Sequence, residues 1–314
     1  MAGLPILAVV SAARPFLEPL LPEGIEVRWI DGAGDALQKV TGAEIGWLDL
    51  FPGDGMGAMI AAATGMRWLN TWRAGIDALP VELFKARGIA LTNGSGVHDV
   101  AISEYAIAGM FALAKHLPDV VRAHDRQEWA RPIPSVNLAG SHVLVIGYGS
   151  IGRRIGAMLA ALGATVTGVR RSARDGAIGA DEWRPRLGAF DWVVLAAPGT
   201  ADTRHMIGTA EFAAMKPGAR LVNVARGSLV DQPALIEALA TGKLAGAFLD
   251  TVDPEPLPAA DPLWRAPNAL ITMHLSGRAQ TGQWERAAPL FAANLQRWIA
   301  GEPLKNRVDF ALGY

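Results

Sequence analysis

Three short segments carry polar side chains where apolar runs end: Asn223-Val-Ala-Arg226, Asp250-Thr-Val-Asp-Pro-Glu255 and Thr272-Met-His274. A guanidinium, a carboxylate and an imidazole in such places suit the reduction of a carbonyl that carries a neighbouring carboxylate. Hydride addition puts negative charge on oxygen, so a proton donor and a cation must stand close to it. Arg226 can clamp the substrate carboxylate while polarising the carbonyl. His274 can give the proton, and Glu255 can bond the other ring nitrogen and favour the imidazolium. Each residue has a plainer use. Arg226 can pair with Asp231, Glu255 can be a turn carboxylate between prolines, and His274 can be a core histidine. The order and setting of all three favour a shared site.

A hydride needs a carrier, and the run VLVIGYGSIG at 143–152 supplies a place for one. Its GxGxxG pattern alone is weak, since 35 glycines give roughly 0.4 such matches by chance, so context decides. Here an apolar strand precedes the loop and a helix, 151–162, follows it. Gly147 permits the tight turn, Gly149 lets a pyrophosphate approach, and Gly152 lets the helix pack on the strand. The helix start offers N–H groups and a positive dipole to the anion. The near-match at 53–58 contains Asp54 and follows Pro52, and it reads as an ordinary turn. The next strand, TVTGV, ends in Arg170-Arg171-Ser172, where an enzyme for the unphosphorylated dinucleotide carries an acid. Guanidinium groups pair with a 2′-phosphate, so NADP(H) is expected over NAD(H). The plainer reading of this stretch is a solvated basic turn.

The elements that must position these residues follow a regular rhythm. Strands are expected at 6–10, 27–30, 45–50, 68–71 and 89–92, with helices at 36–40 and 56–63. Such alternation predicts a parallel sheet with helices on both faces. A helix at 100–116 and a polar arm at 122–134 then mark the passage to a second domain, and the arm is read as a subunit contact. Six further strands are expected at 143–146, 165–169, 192–196, 220–224, 247–249 and 269–272, the count of a doubly wound dinucleotide domain. In such a sheet the carboxyl ends line the ligand crevice, which brings the three polar segments together. An amphipathic helix at 282–300 is expected to return to the first domain, making that domain discontinuous.

Composition removes several alternatives. The chain has no cysteine, hence no disulfide, thiolate metal site or cysteine nucleophile. Its six histidines show no metal-binding spacing, so no metal is expected. A net charge of −1 offers no general attraction to nucleic acid or to an acidic membrane. The apolar run at 4–10 is too short for a signal peptide and reads as a strand. No run approaches the ~20 residues of a membrane span, and a cytoplasmic protein is expected.

Taken with the motifs LAAPGTADTRHMI, MKPGARLVNVARGSLVDQPALIEAL, GAFLDTVDPEPLP and TMHLSG, the chain resembles the D-isomer-specific 2-hydroxyacid dehydrogenase family. The likeness is close over about 100–280 and looser in NTWRAGID (70–77) and the C-terminal helix. It implies an α/β fold of two doubly wound parallel-sheet domains. These are a Rossmann cofactor domain at 99–277 and a flavodoxin-like substrate domain built from 1–98 and 278–314. It implies roles for Arg226, His274 and Glu255 as above, and backbone N–H groups of Ala74 and Gly75 for the substrate carboxylate. Cofactor contacts are implied for Gly147, Tyr148, Gly149, Ser150, Ile151, Gly152, Arg170, Arg171, Ser172, Ala197, Pro198, Thr203, Val224 and Ala225. Asp250 would hold the nicotinamide carboxamide.

Departures from the family pattern are Met273, where proline is usual before the histidine, and Arg170 in place of the usual acid. Glu255 in place of glutamine disfavours formate oxidation. Among the branches, the chain most resembles the NADPH-dependent glyoxylate/hydroxypyruvate reductases, which implies a small 2-keto acid substrate and a homodimer. Trp47 and the pair Trp72–Arg73 are candidates for shaping the pocket. Bulkier keto acids, or a dinucleotide-sensing binding protein of the same fold, are the alternative readings.

Overall fold

The computed structural model describes residues 3–49, 55–77, 79–129, 131–278 and 281–314. It divides into two compact units, one made of residues 1–98 with 281–314 and the other of 99–280. Arg278 therefore falls in the second unit, closing the short helix Leu275–Arg278, and not in the outer unit where the sequence reading places it. The near-match at 53–58 and the end of the strand expected at 45–50 lie partly outside the described residues.

The first unit holds β1 (Leu7–Val10), β2 (Val27–Ile30), β3 (Ile45–Trp47), β4 (Trp68–Asn70) and β5 (Ala90–Thr92). All pair in parallel in the order β2-β1-β3-β4-β5, the flavodoxin-like arrangement. Every residue of β1, β3 and β4 is buried, as expected where helices cover both faces of a parallel sheet. Successive side chains point to opposite faces. Thus Ala8 joins one core with Ile60 and Phe84, while Leu7 and Val9 join another with Phe291 and Leu295. The helix Gln283–Ile299 supplies that second core. Its Phe291 ring lies 5.1 Å from Trp47 and 5.2 Å from Trp68.

Trp47 is consequently a core residue, fully buried, and shapes no pocket. Trp72 is buried too, against His98 and Trp284. Its neighbour Arg73 lies over a buried carboxylate, Asp49. Asp49 accepts from Trp47 Nε1 (3.0 Å), Thr71 Oγ1 (2.8 Å) and the Trp72 N–H (2.9 Å), with Arg73 Nε at 3.4 Å. From the other side, Asn93 Nδ2 donates to the Ala74 carbonyl (3.1 Å) and the Gly94 N–H to that of Arg73 (2.8 Å). The turn carrying Ala74 and Gly75 is therefore fixed by side chains that are themselves buried.

The second unit holds β6 (His142–Ile146), β7 (Thr165–Val169), β8 (Trp192–Leu195), β9 (Ala219–Asn223), β10 (Leu244–Leu249) and β11 (Ala269–Ile271). Their order is β11-β10-β9-β8-β6-β7, all parallel. A single parallel bridge from Val169 to Ile178 adds a vestigial strand beyond β7, completing the doubly wound sequence. The helix expected at 100–116 is Asp99–Ala114, and a second helix, Leu117–Asp125, follows it into the expected polar arm, the two parted at His116 in the left-handed region (φ 54°). Pro118 accounts for the break, because it has no N–H to bond the Ala114 carbonyl and is tolerated only in the first turn of a new helix. The first of these helices lies so close to the sheet that a Cβ at Gly109 would stand 2.4 Å from the Phe248 ring.

Burial raises the Asp49 carboxyl to about 6, although the Trp72 N–H, Thr71, Arg73 and Trp47 all pull it down. The folded chain thus holds this proton more tightly than the unfolded one, whose value is near ~3.9. Stability should fall by about 3 kcal/mol in total as pH rises through that window. The carboxyl ¹³C resonance of Asp49 should show a titration midpoint near 6; a midpoint at the ordinary aspartate value would contradict the assignment.

Candidate active site

The glycine loop joins β6 to the helix Ser150–Ala161. Gly147 has φ 96°, and a Cβ there would sit 2.3 Å from the Ala197 nitrogen. A Cβ at Gly152 would sit 2.1 Å from the Gly147 carbonyl oxygen. Both glycines are demanded by the protein's own packing. Gly149 differs, because a Cβ there would meet nothing within 4 Å. It is the helix N-cap and, being glycine, brings no capping side chain of its own. An open cradle beside a helix start is what an anionic pyrophosphate requires, so the loop fits a dinucleotide. Tyr148 is used internally. Its N–H donates to Val169 O (2.8 Å) and its ring packs where a Cβ at Gly168 or Gly156 would go. Ile151 packs on the adjacent core.

At the end of β7 the two arginines part company. Arg170 Nη1 donates to Asp175 Oδ2 at 2.6 Å with its side chain only 16% exposed, and its N–H bonds Ile178 O (2.9 Å). It closes the turn that brings Ile178 back to β7. Arg171 and Ser172 are exposed, and Arg171 forms no ion pair among the described residues. The expectation that both guanidinium groups face a phosphate is therefore narrowed to Arg171.

Across the loop, Ala197 is buried beside Gly147, and Pro198 starts a turn closed by Thr203. Thr203 Oγ1 donates to Pro198 O (2.7 Å) and accepts from the Thr200 N–H (2.8 Å). Gly199 in that turn lies under Arg226: a Cβ there would stand 3.0 Å from Arg226 Cγ. Arg226 follows β9 in a turn held by Asn223, which is fully buried. Asn223 Oδ1 accepts from the Ala225 N–H (3.0 Å), and Nδ2 donates to Arg226 O (2.8 Å). Val224 and Ala225 bury their side chains. Asp231, the plainer partner considered for Arg226, caps the helix Gln232–Ala240 by accepting from the Ala234 N–H (3.2 Å).

His274 and Glu255 meet directly, with Nδ1 to Oε2 at 2.7 Å. They are 21% and 28% exposed, so the pair is sheltered but reachable. Burial alone would raise the Glu255 carboxyl. The His274 hydrogen bond and charge, the Val252 N–H and Arg278 outweigh it and hold the carboxyl below its usual range. The pair's contribution is thus present at neutral pH and lost as pH falls through that depressed value. With Nδ1 committed, Nε2 is the ring atom left to face a substrate. Asp250 anchors the other side of this turn, its backbone carbonyl accepting the His274 N–H at 2.6 Å. Asn223, Thr272 and Ser276 hold the turns, a task that sequence reasoning did not assign to them. For Asn223 the signal was a polar residue at the end of a buried strand. Among the described residues no group of three or more His, Asp or Glu could hold a metal ion.

Residues 107–276 match the family model described as D-isomer specific 2-hydroxyacid dehydrogenase, NAD binding domain. The D-3-phosphoglycerate dehydrogenase of Archaeoglobus fulgidus is 28% identical over 257 residues, 80% of this chain and 49% of that protein. The chain thus spans about half the length of this curated relative. A D-isomer specific 2-hydroxyacid dehydrogenase from Xanthobacter autotrophicus Py2, solved with NADPH and MES, is 28% identical with a TM-score of 0.83, covering 99% of this chain and 100% of that one. An NADPH-dependent glyoxylate/hydroxypyruvate reductase from Sinorhizobium meliloti, solved with NADP and malonate, is 26% identical with a TM-score of 0.76, covering 98% of this chain and 97% of that one.

The three loop glycines should separate on mutation. Gly152→Ala should cost about 1–3 kcal/mol of stability through the clash with Gly147. Gly149→Ala should leave the melting temperature nearly unchanged and weaken dinucleotide binding at least about tenfold, since its Cβ enters only the ligand's space. Thermal denaturation and cofactor fluorescence titration check the two arms.

Proposed function

Because the chain belongs to the D-isomer-specific 2-hydroxyacid dehydrogenase family, we propose that it reduces a small 2-keto acid of the glyoxylate/hydroxypyruvate kind to the D-2-hydroxy acid with NADPH. The observation that carries this reading is the 2.7 Å contact between His274 and Glu255, at the same edge of the sheet from which Arg226 emerges. The reduced nicotinamide, when bound, supplies a hydride to the carbonyl carbon. Arg226 draws electron density to the carbonyl oxygen and pairs with the substrate carboxylate. His274 delivers a proton from Nε2 to that oxygen. Glu255 holds the ring through Nδ1 and offsets the charge of the imidazolium before transfer. The Ala74 and Gly75 N–H groups add to the carboxylate's binding.

The first-turn amides after Gly149 take the pyrophosphate, and Ala197, Pro198, Thr203, Val224 and Ala225 line the cofactor through backbone and small side chains. Arg171 and Ser172 take the 2′-phosphate. The NADPH and NADP complexes of the two solved relatives support this choice.

The same proposal includes a homodimer and a cytoplasmic location. Leu117, Val120, Val121, Ile133 and Val136 are exposed, and Trp129 is fully so. This is more apolar surface than one arm ordinarily leaves in water. Among the described residues no helix is long and apolar enough to cross a membrane.

A panel of glyoxylate, hydroxypyruvate, its 3-phosphate, pyruvate and bulkier 2-keto acids, run with NADPH and then NADH, tests the reaction. Glyoxylate or hydroxypyruvate with NADPH should turn over fastest. NADPH binding without any turnover would replace the enzyme reading with a dinucleotide-sensing one. Arg171→Ala should raise the NADPH KM about 10–100-fold and spare NADH. His274→Ala should chiefly lose kcat, whereas Arg226→Ala should lose both kcat and substrate affinity.

Light scattering should give twice the 33.2 kDa chain mass, and a monomer at micromolar concentration would remove the dimer.

A further inference from the structure

The family resemblance casts Asp250 as the acceptor for the nicotinamide carboxamide, but its surroundings describe a different task. Asp250 is 1% exposed at the end of β10. Its Oδ1 accepts from Thr272 Oγ1 (2.9 Å), the Leu275 N–H (2.9 Å) and the Ser276 N–H (3.3 Å). Its Oδ2 accepts from the Ser276 N–H (3.3 Å) and, at short range, from the Ser276 hydroxyl. A carboxylate offers about four lone-pair sites, and these donors occupy them. All come from one segment, residues 272–276, with His274 at its centre.

That segment needs holding. Met273 and His274 are consecutive non-glycine residues in the left-handed region, at φ 55° and 57°, where L residues are disfavoured. Proline fixes φ near −65°, so the proline usual in the family cannot occupy position 273 in this conformation. A turn without that ring must obtain its rigidity elsewhere.

We infer that Asp250 is a positioning residue that clamps the His274 turn through Thr272 and Ser276, and that it leaves no lone pair for the nicotinamide carboxamide. The inference rests on the reading of His274 as the proton donor. The clamp fixes the direction of the imidazole from the main chain while Glu255 fixes it from the ring. Asp250→Asn has the same shape but sets an amide donor against the Ser276 and Leu275 donors, so the turn is released.

The test compares Asp250→Asn, Ser276→Ala, Ser276→Thr and Met273→Pro with the unmodified chain. NADPH affinity is read by fluorescence, rate by steady-state kinetics, and the His274 Nδ1–H by ¹⁵N-correlated NMR. Asp250→Asn should lower kcat at least about 30-fold and leave the NADPH Kd within about threefold. Ser276→Ala should lower kcat about 3–10-fold, with Ser276→Thr restoring it. Met273→Pro should lower kcat as Asp250→Asn does. In the impaired variants the hydrogen-bonded Nδ1–H signal should broaden or vanish. A tenfold or larger loss of NADPH affinity in Asp250→Asn, with full kcat in Ser276→Ala, would overturn the inference in favour of the carboxamide role. Should Asp250→Asn fail to fold, the Ser276 pair and Met273→Pro decide. The NMR signal needs no turnover, so a clamp that fails there is distinguished from a substrate assignment that fails in the assay.

Discussion

The second unit depends on β6 being paired on both edges, with β7 on one side and β8 on the other. Once the first strand of the unit is central, the chain must cross to one flank and then to the other, and the crossings leave a gap at the carboxyl ends. Everything chemical in the unit stands on that edge. The glycine loop leaves β6, the arginine turn leaves β7, and Arg226, Asp250 and His274 follow β9, β10 and β11. Residues separated by more than half the unit's length come to one edge without any long-range polar contact having to draw them together. Hydrophobic register does it, because the inner strands β6, β8, β9 and β10 are buried along nearly their whole length.

Two buried carboxylates show how the polar parts are built on this frame. Asp49 in the first unit and Asp250 in the second each gather donors from a neighbouring turn, and each turn contains a residue assigned to substrate or proton. Burying an unpaired charge would be costly, so the donors and the carboxylate are mutually required. The turns inherit rigidity from the core beneath them in place of regular secondary structure. Loops fixed in this way satisfy the demand that reacting groups be held in place before the substrate arrives.

Much of this was readable from sequence because period and punctuation determine it. The eleven strands of the described residues overlap the apolar runs expected for them, and the Glu255–His274 contact joins polar residues that follow two adjacent strands. What escaped depends on partners distant in sequence or on backbone angles. Arg170 looked like Arg171 until Asp175 claimed it. Trp47 looked like a pocket wall until Phe291, some 240 residues later, stacked on it. Met273 read as a mild departure from a family pattern, whereas its positive φ excludes the usual residue altogether. The helix Leu117–Asp125 escaped for a simpler reason: its charged residues read as the start of a polar arm.

The close approach of Gly109 to Phe248 has a wider reach than its position suggests. It lets the backbone of the helix Asp99–Ala114 rest directly on an aromatic ring, with no side chain between. That contact acts as a fulcrum. The chain beyond it, through the bend at His116 to the exposed Trp129, is a lever whose inclination is set where the helix touches the ring. A methyl group at 109 would tilt the lever at its pivot, and the displacement would grow along the arm. The arm that carries the exposed Trp129 thus leaves the core from a contact that only the smallest residue permits.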